Sequence, residues 1–142
     1  MLDTSHFHPM TVHFPIAVIL IGFVIDLASI FVRKDTCLPK MGYYLQIFGM
    51  IAAIAAFGTG YYLTSPMQGE AGIMRDEHKL FATLTLVCII LSTMLRVLLN
   101  YLKKEGSWIR WISLGFYLMA FIFVIYTGYL GGHLMMDYMM GL

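Results

Sequence analysis

The sequence predicts an all-α integral membrane protein, a four-helix bundle built from two antiparallel helical hairpins. Three observations support this fold class. Hydrophobic residues make up 60% of the 142 residues, and charged residues only 12%, whereas soluble domains carry about 25% charged residues. The mean hydropathy is +0.80. Four apolar stretches are each long enough to cross a bilayer, which takes roughly 20 residues.

The predicted spans follow one another in a single domain, at about residues 9–32, 41–63, 78–101 and 108–130. The connections after the first and third spans are short, which makes the helices that they join antiparallel. The longer connection, residues 64–77, contains Ser65, Pro66, Gly69 and Gly72. These residues favour turns, so we expect an irregular loop there.

Basic residues predict the orientation. They concentrate in and beside the first and third connections: Arg33, Lys34, Lys40, Arg96, Lys103, Lys104 and Arg110. Because Lys and Arg favour the cytoplasmic side, we expect these two connections to face the cytoplasm of a bacterial inner membrane. Both termini and residues 64–77 then face the periplasm. The net charge of +1 gives no reason to expect a nucleic-acid partner.

All five histidines fall at the predicted outer end of the bundle: His6, His8, His13, His78 and His133. Neutral imidazole is the commonest side-chain metal ligand. Single histidines also occur at span ends because ionisable residues cost little there. Five on one side and none on the other make this cluster the candidate functional site.

The two halves of the chain resemble each other. His13 opens the first span, and Thr59-Gly60-Tyr61 closes the second; His78 opens the third, and Thr127-Gly128-Tyr129 closes the fourth. Two hairpins repeated in the same orientation are related by an axis along the membrane normal. We therefore expect His13 and His78 to face each other across the bundle.

Small residues recur every four positions near the ends of the second and fourth spans: Ala52, Ala56, Gly60, Gly128 and Gly132. Such stripes let helix backbones approach closely in lipid, and we favour that packing role. The alternative is that the glycines leave room for a flat ring.

Two charged residues lie deeper in the spans. Asp26 in the first span and Arg96 in the third are predicted to share a level near the cytoplasmic interface. Charges inside a membrane usually face inward and pair, so a structural ion pair is the favoured interpretation. The alternative is that Arg96 extends to the lipid headgroups.

The histidines suit either of two cofactor classes. A b-type haem takes one or two axial imidazoles, which two facing helices can supply. Zinc or copper takes three or four ligands at about 2.0–2.2 Å. That set could come from His13, His78 and His133 with Asp3, Asp76, Glu77 or Asp137. Copper also binds thioethers, and Met135, Met136, Met139 and Met140 crowd the C-terminus.

The residues around the first histidines predict how the first helix begins. Pro9 biases His8 toward an extended conformation, so residues before the first helix could fold back over the mouth of the bundle. His13, beside Phe14 and Pro15, is expected to point into the bundle. Pro15 is then tolerated if the regular helix starts near Thr11 to His13, or if the helix kinks.

The motif His8-Pro9-Met10-Thr11-Val12-His13-Phe14-Pro15-Ile16-Ala17 resembles the opening signature of the membrane-protein family called domain of unknown function 2231. His78 and the closing Gly128-Tyr129-Leu130-Gly131-Gly132 match later landmarks of that family. The resemblance implies a small four-helix protein and, through relatives fused to cytochrome c-like domains, electron transfer. It places His8, His13 and His78 at family positions. His133 falls where the family varies, and Tyr138 stands where a further histidine often occurs.

Our leading hypothesis is a membrane protein that binds haem b and transfers electrons to a partner protein or quinone. His13 and His78 are the first-choice axial ligands, and His8 and His133 the second-choice ligands or hydrogen-bond partners. The alternatives are a zinc or copper site built from His8, His13, His78 and His133, and a cofactor-free accessory subunit. Enzymatic activity and homo-oligomer formation stay open at this stage.

Several function classes have no support in the sequence. Cys37 and Cys88 form no Cys-x-x-Cys-His motif, which excludes c-type haem attachment. No phosphate-binding glycine loop, Ser-His-Asp arrangement or pair of buried carboxylates can be recognised, so hydrolase and ATPase activities are not predicted.

Overall fold

A computed structural model of the chain describes residues 7–32, 37–63, 68–104 and 108–139. These residues form four long helices and one short one. The helices are α1 (Phe7–Phe31), α2 (Cys37–Leu63), α3 (Gly69–Tyr101), α4 (Ile109–His133) and the π-helical α5 (Leu134–Met139). The described ranges contain no strand, so the prediction of an all-α bundle is confirmed.

Each long helix is long and apolar enough to cross a membrane, which confirms the four predicted spans. Helix α3 differs most from its prediction. It begins at Gly69 rather than at His78 and runs for 33 residues, or about 50 Å at 1.5 Å per residue. This length exceeds the roughly 30 Å of a hydrocarbon core, so part of α3 extends beyond it.

The expectation of an irregular loop was wrong from residue 69 onward. Gly69 adopts a φ of +67°, which only glycine takes up readily, and this turn brings the chain into the helix. Glu70 lies in the first turn of α3, where a negative charge stabilises the positive end of the helix dipole. The glycines read as loop markers thus include the residue that starts the helix.

Helix α1 also starts earlier than expected. It begins at Phe7, so His8 and Pro9 are helical rather than extended. Pro9 is tolerated because it lies in the first turn, where the missing backbone N–H has no helical partner in any case. Pro15 lies inside the helix.

The helices pack as two hairpins. Helix α1 packs most extensively on α2, and α3 on α4, while α1–α4 and α2–α3 are smaller interfaces. The core is apolar and lies where α1, α3 and α4 meet. It includes Ile19, Phe23, Ile89, Tyr117 and Val124. The rings of Phe23 and Tyr117 meet edge to face, with centroids 5.4 Å apart.

We name the two ends of the bundle by what they carry. The histidine end is where α1 and α3 begin and α2 and α4 end. The loop end is the opposite one, where α1 and α3 end and α2 and α4 begin. Asp26 and Arg96 both lie five residues before the loop end of their helices, at the shared level that the sequence predicts.

Asp26 and Arg96 form an ion pair across the bundle. Arg96 Nη2 lies 3.1 Å from Asp26 Oδ1, and the two side chains are only 2% and 5% exposed. Arg110 of α4 joins them, with Nη2 3.4 Å from Asp26 Oδ1. The same nitrogen donates a 3.1 Å hydrogen bond to Ser29. The arrangement is a buried pair, and Arg96 does not reach out of the bundle.

A second group of buried polar contacts lies beside this pair. Gln46 Nε2 donates to Ser92 Oγ at 2.6 Å, and Ser92 Oγ donates to the Ser113 carbonyl at 2.6 Å. Ser113 Oγ returns a 2.9 Å bond to the Ser92 carbonyl. Together the two groups form a polar layer, defined as Asp26, Ser29, Gln46, Ser92, Arg96, Arg110 and Ser113. Its contacts link the α1–α2 hairpin to the α3–α4 hairpin.

Candidate functional site at the histidine end

Among the histidines whose side chains the structure describes, His78 is the one with a hydrogen bond to another long helix. It lies half-buried on α3, with Nδ1 3.0 Å from the carbonyl oxygen of Thr127 on α4. A carbonyl oxygen can only accept, so Nδ1 carries the proton. In the neutral ring Nε2 then holds the lone pair. Metal-binding histidines in proteins are oriented in this way, by a hydrogen bond from the nitrogen that does not bind the metal.

Gly131 explains how the His78 ring comes so close to α4. A Cβ atom added at Gly131 would lie 3.1 Å from His78 Cε1 and 3.4 Å from its Nδ1. The first distance is tighter than ordinary van der Waals contact, so any side chain at residue 131 would press on the imidazole. The missing side chain therefore lets the ring rest directly against the helix.

Gly128 and Gly132, near the end of α4, differ in whether close helix packing explains them. A Cβ at Gly128 would lie 3.3 Å from Ile16 Cδ1, so Gly128 serves the close approach of α4 to α1. A Cβ at Gly132 would meet no atom within 4 Å. Packing thus accounts for Gly128, while Gly132 adjoins open space.

His13 does not face the interior as expected. Its side chain is exposed, whereas Pro15 and Ile19 on the same helix are buried. The reason is the helical period: His13 precedes Pro15 by two residues, about 200° around the helix, which turns it to the opposite side. His13 and His78 are therefore not facing counterparts.

Thr11 occupies the corresponding position instead. Its Oγ1 lies 3.1 Å from Thr59 Oγ1 on α2, and Thr59 donates to the Ala56 carbonyl at 2.8 Å. The contacts Thr11–Thr59 and His78–Thr127 span 48 and 49 residues. Each joins a residue toward the histidine end of one helix to a threonine in the last two turns of the next, so the repeat is offset by two residues from the predicted one.

His133 lies at the end of α4 and pairs within its own segment. Its Nδ1 is 3.1 Å from Asp137 Oδ2 of α5, and the side chain is 44% exposed. The ring meets Tyr129 edge to face at 4.6 Å between centroids. His133 follows Gly131 by two residues, which turns it about 200° away from the side of α4 that contacts His78.

The remaining histidines are only partly covered. His6 lies outside the described residues, as does the side chain of His8, although residue 8 belongs to α1. Among the side chains that are described, no three or more His, Cys, Asp or Glu lie together in a group able to hold a metal ion. The described histidines His13, His78 and His133 thus do not converge into the zinc or copper site considered above.

Aromatic rings follow His78 along the hairpin. Phe81, three residues after it, meets Tyr126 of α4 with centroids 4.5 Å apart. Lys79 Nζ lies 5.6 Å from the centre of the Tyr61 ring of α2. These contacts hold the part of α3 that carries His78 against both α2 and α4.

The model of a family described as "Predicted membrane protein (DUF2231)" matches residues 4–142, nearly the whole chain. No curated protein matches the sequence, and no solved structure does.

Proposed function

This chain belongs to the DUF2231 family of predicted membrane proteins, and we propose that it binds haem b at the histidine end and takes part in electron transfer. The observation that carries the proposal is the hydrogen bond from His78 Nδ1 to the Thr127 carbonyl. It leaves Nε2, the nitrogen that binds haem iron, with its lone pair. A bound haem would supply one-electron redox chemistry that the side chains themselves lack.

His78 would be suited to hold the haem in three respects. Its tautomer is set by Thr127, its ring is packed against Gly131, and it lies half-buried at the edge of the bundle. An imidazole held in this way loses little conformational freedom on binding, which favours affinity. Thr127 and Gly131 act as positioning residues for His78.

A histidine of α1 would help to hold the haem, with His8 preferred to His13. His13 lies on the exposed side of the helix. His133 is assigned no ligand role, because it pairs with Asp137 and lies on another side of α4 from Gly131.

Orientation and partners follow from the charge distribution. The basic connections at the loop end favour the cytoplasm, so the histidine end faces the periplasm of a bacterial inner membrane. The haem then lies near the outer surface. A periplasmic redox protein or a membrane quinone can reach it there.

The test is an absorption spectrum of the protein purified in detergent after expression with ample haem, before and after dithionite, with haem quantified as its pyridine complex. We expect a Soret band, sharp bands on reduction and close to one haem per chain. His78→Ala loses this haem, and the control His133→Ala keeps it.

Three other outcomes of these measurements contradict the haem proposal. Stoichiometric zinc or copper without haem absorbance contradicts the proposal and favours a metal-ion site. A protein with neither haem nor metal also contradicts the proposal and favours the cofactor-free alternative. Equal haem content in wild type and His78→Ala overturns the assignment of His78.

A further inference from the structure

The buried side-chain atoms that lack a hydrogen-bond partner among the described residues include two in the middle of the bundle. They are the hydroxyl of Tyr117 on α4 and the side-chain oxygen Oε1 of Gln46 on α2. Tyr117 is 0% exposed and Gln46 is 1% exposed. A buried polar atom left unpaired is costly, so each of these atoms requires an explanation.

The two side chains lie at one level of the bundle. Gln46 is nine residues from the loop end of α2, and Tyr117 is eight residues from the loop end of α4, which is about 12–14 Å in both cases. Gly22 of α1 packs against both α2 and α4 at this level. A Cβ added there would collide with the Tyr117 hydroxyl and lie 3.0 Å from the Cβ of Leu45, the neighbour of Gln46.

The direction of the Gln46 amide is fixed by its surroundings. The Ser92 hydroxyl donates its single proton to the Ser113 carbonyl oxygen, 2.6 Å away. Ser92 Oγ can therefore only accept a hydrogen bond from Gln46. The nitrogen of Gln46 must therefore face Ser92, as the 2.6 Å contact shows. Its oxygen is left as a buried acceptor, while the Tyr117 hydroxyl offers a buried donor.

We propose that a water molecule is bound inside the bundle between Tyr117 and Gln46. It accepts from the Tyr117 hydroxyl and donates to Gln46 Oε1. Buried water in proteins serves this purpose, joining polar groups that do not reach each other directly. The site is independent of the proposed haem, since Tyr117 precedes Thr127, the partner of His78, by ten residues on α4, or about 15 Å along the helix.

Bound water extends the polar layer. Gln46 already reaches Ser92 and Ser113, which links α2, α3 and α4. Through the water the layer gains Tyr117, whose hydroxyl lies against Gly22 of α1, one turn from Asp26. The water thus adds a further contact between α2 and α4 to a layer that already includes residues of all four helices.

The test compares Tyr117→Phe with the control Tyr126→Phe, whose ring is 40% exposed. If water bridges Tyr117 and Gln46, removing the hydroxyl breaks a satisfied bond and lowers the unfolding midpoint by roughly 2–6 °C. If the hydroxyl is truly unpaired, its removal leaves the midpoint unchanged or raises it, and the proposal is overturned. The control stays at the wild-type midpoint.

A double-mutant cycle and an infrared measurement keep the test decisive if one variant folds poorly. The effects of Tyr117→Phe and Gln46→Met are expected to be non-additive, because both groups anchor the same water. In the wild-type protein, exchange into H₂¹⁸O shifts an O–H band of a buried water, and Tyr117→Phe lacks that band. Additive effects together with no isotope-sensitive band contradict the site.

Discussion

His78 Nδ1 and the carbonyl oxygen of Thr127 lie 3.0 Å apart and join α3 to α4 at the histidine end of the bundle. This contact determines which ring nitrogen carries the proton and which holds the lone pair. It therefore gives the His78 side chain a defined orientation. The proposal of a haem ligand depends on this relationship.

Gly131→Ala is expected to weaken haem binding, because the new Cβ would lie 3.1 Å from His78 Cε1 and push the ring away from Thr127. The measurement is haem content per chain, which we expect to fall at least severalfold. Gly132→Ala is the matched control, since its Cβ meets nothing within 4 Å. Equal losses in both variants contradict the proposed role of Gly131.

Asp26→Asn is expected to destabilise the fold strongly. It leaves Arg96 buried without the carboxylate that lies 3.1 Å away, and breaking a buried pair on one side costs about 3–5 kcal/mol. Denaturant unfolding in detergent measures the change. Asp137→Asn alters only the exposed pair with His133 and is expected to have little effect.

Gly42→Val is expected to disturb the same ion pair from the opposite helix. A Cβ at Gly42 of α2 would lie 3.0 Å from both Cα and Cβ of Asp26, so the backbones of α1 and α2 must separate. Overpacking of this kind costs about 1–3 kcal/mol. Gly115→Val, where a Cβ meets nothing within 4 Å, should retain wild-type stability in the same assay.

Much of the architecture could be predicted from the sequence. A long apolar run that crosses a bilayer must pair its backbone N–H and C=O groups within the protein, which a helix achieves. The structure has four such helices. Asp26 and Arg96 were expected to pair because isolated charges are costly among apolar side chains, and their atoms lie 3.1 Å apart. These predictions follow from composition and length, which do not depend on side-chain detail.

The predictions that were wrong depend on helix phase and on helix starts. His13 is exposed while Thr11 makes the inter-helix contact, a difference of two residues that the repeat pattern could not resolve. Residues 69–77 contain loop-forming glycines but are helical. A single glycine at positive φ can introduce a helix as well as interrupt one.

The buried polar contacts beyond the ion pair were not predicted. Gln46, Ser92 and Ser113 are isolated polar residues within apolar runs. Their positions could have indicated that they are paired inside the bundle. Their pairing depends on how three helices are rotated relative to one another. That rotation is set by packing at residues such as Gly22 and Gly49, which sequence periodicity alone does not reveal.

The most direct test of the central claim is haem binding by His78→Gly with and without added imidazole. If His78 ligates the iron, the variant loses its haem, and imidazole restores the Soret band by filling the position that the side chain has left. His133→Gly serves as the control and binds haem without imidazole. If His78→Gly keeps its haem, or if imidazole restores nothing while the fold remains intact, His78 is not the ligand.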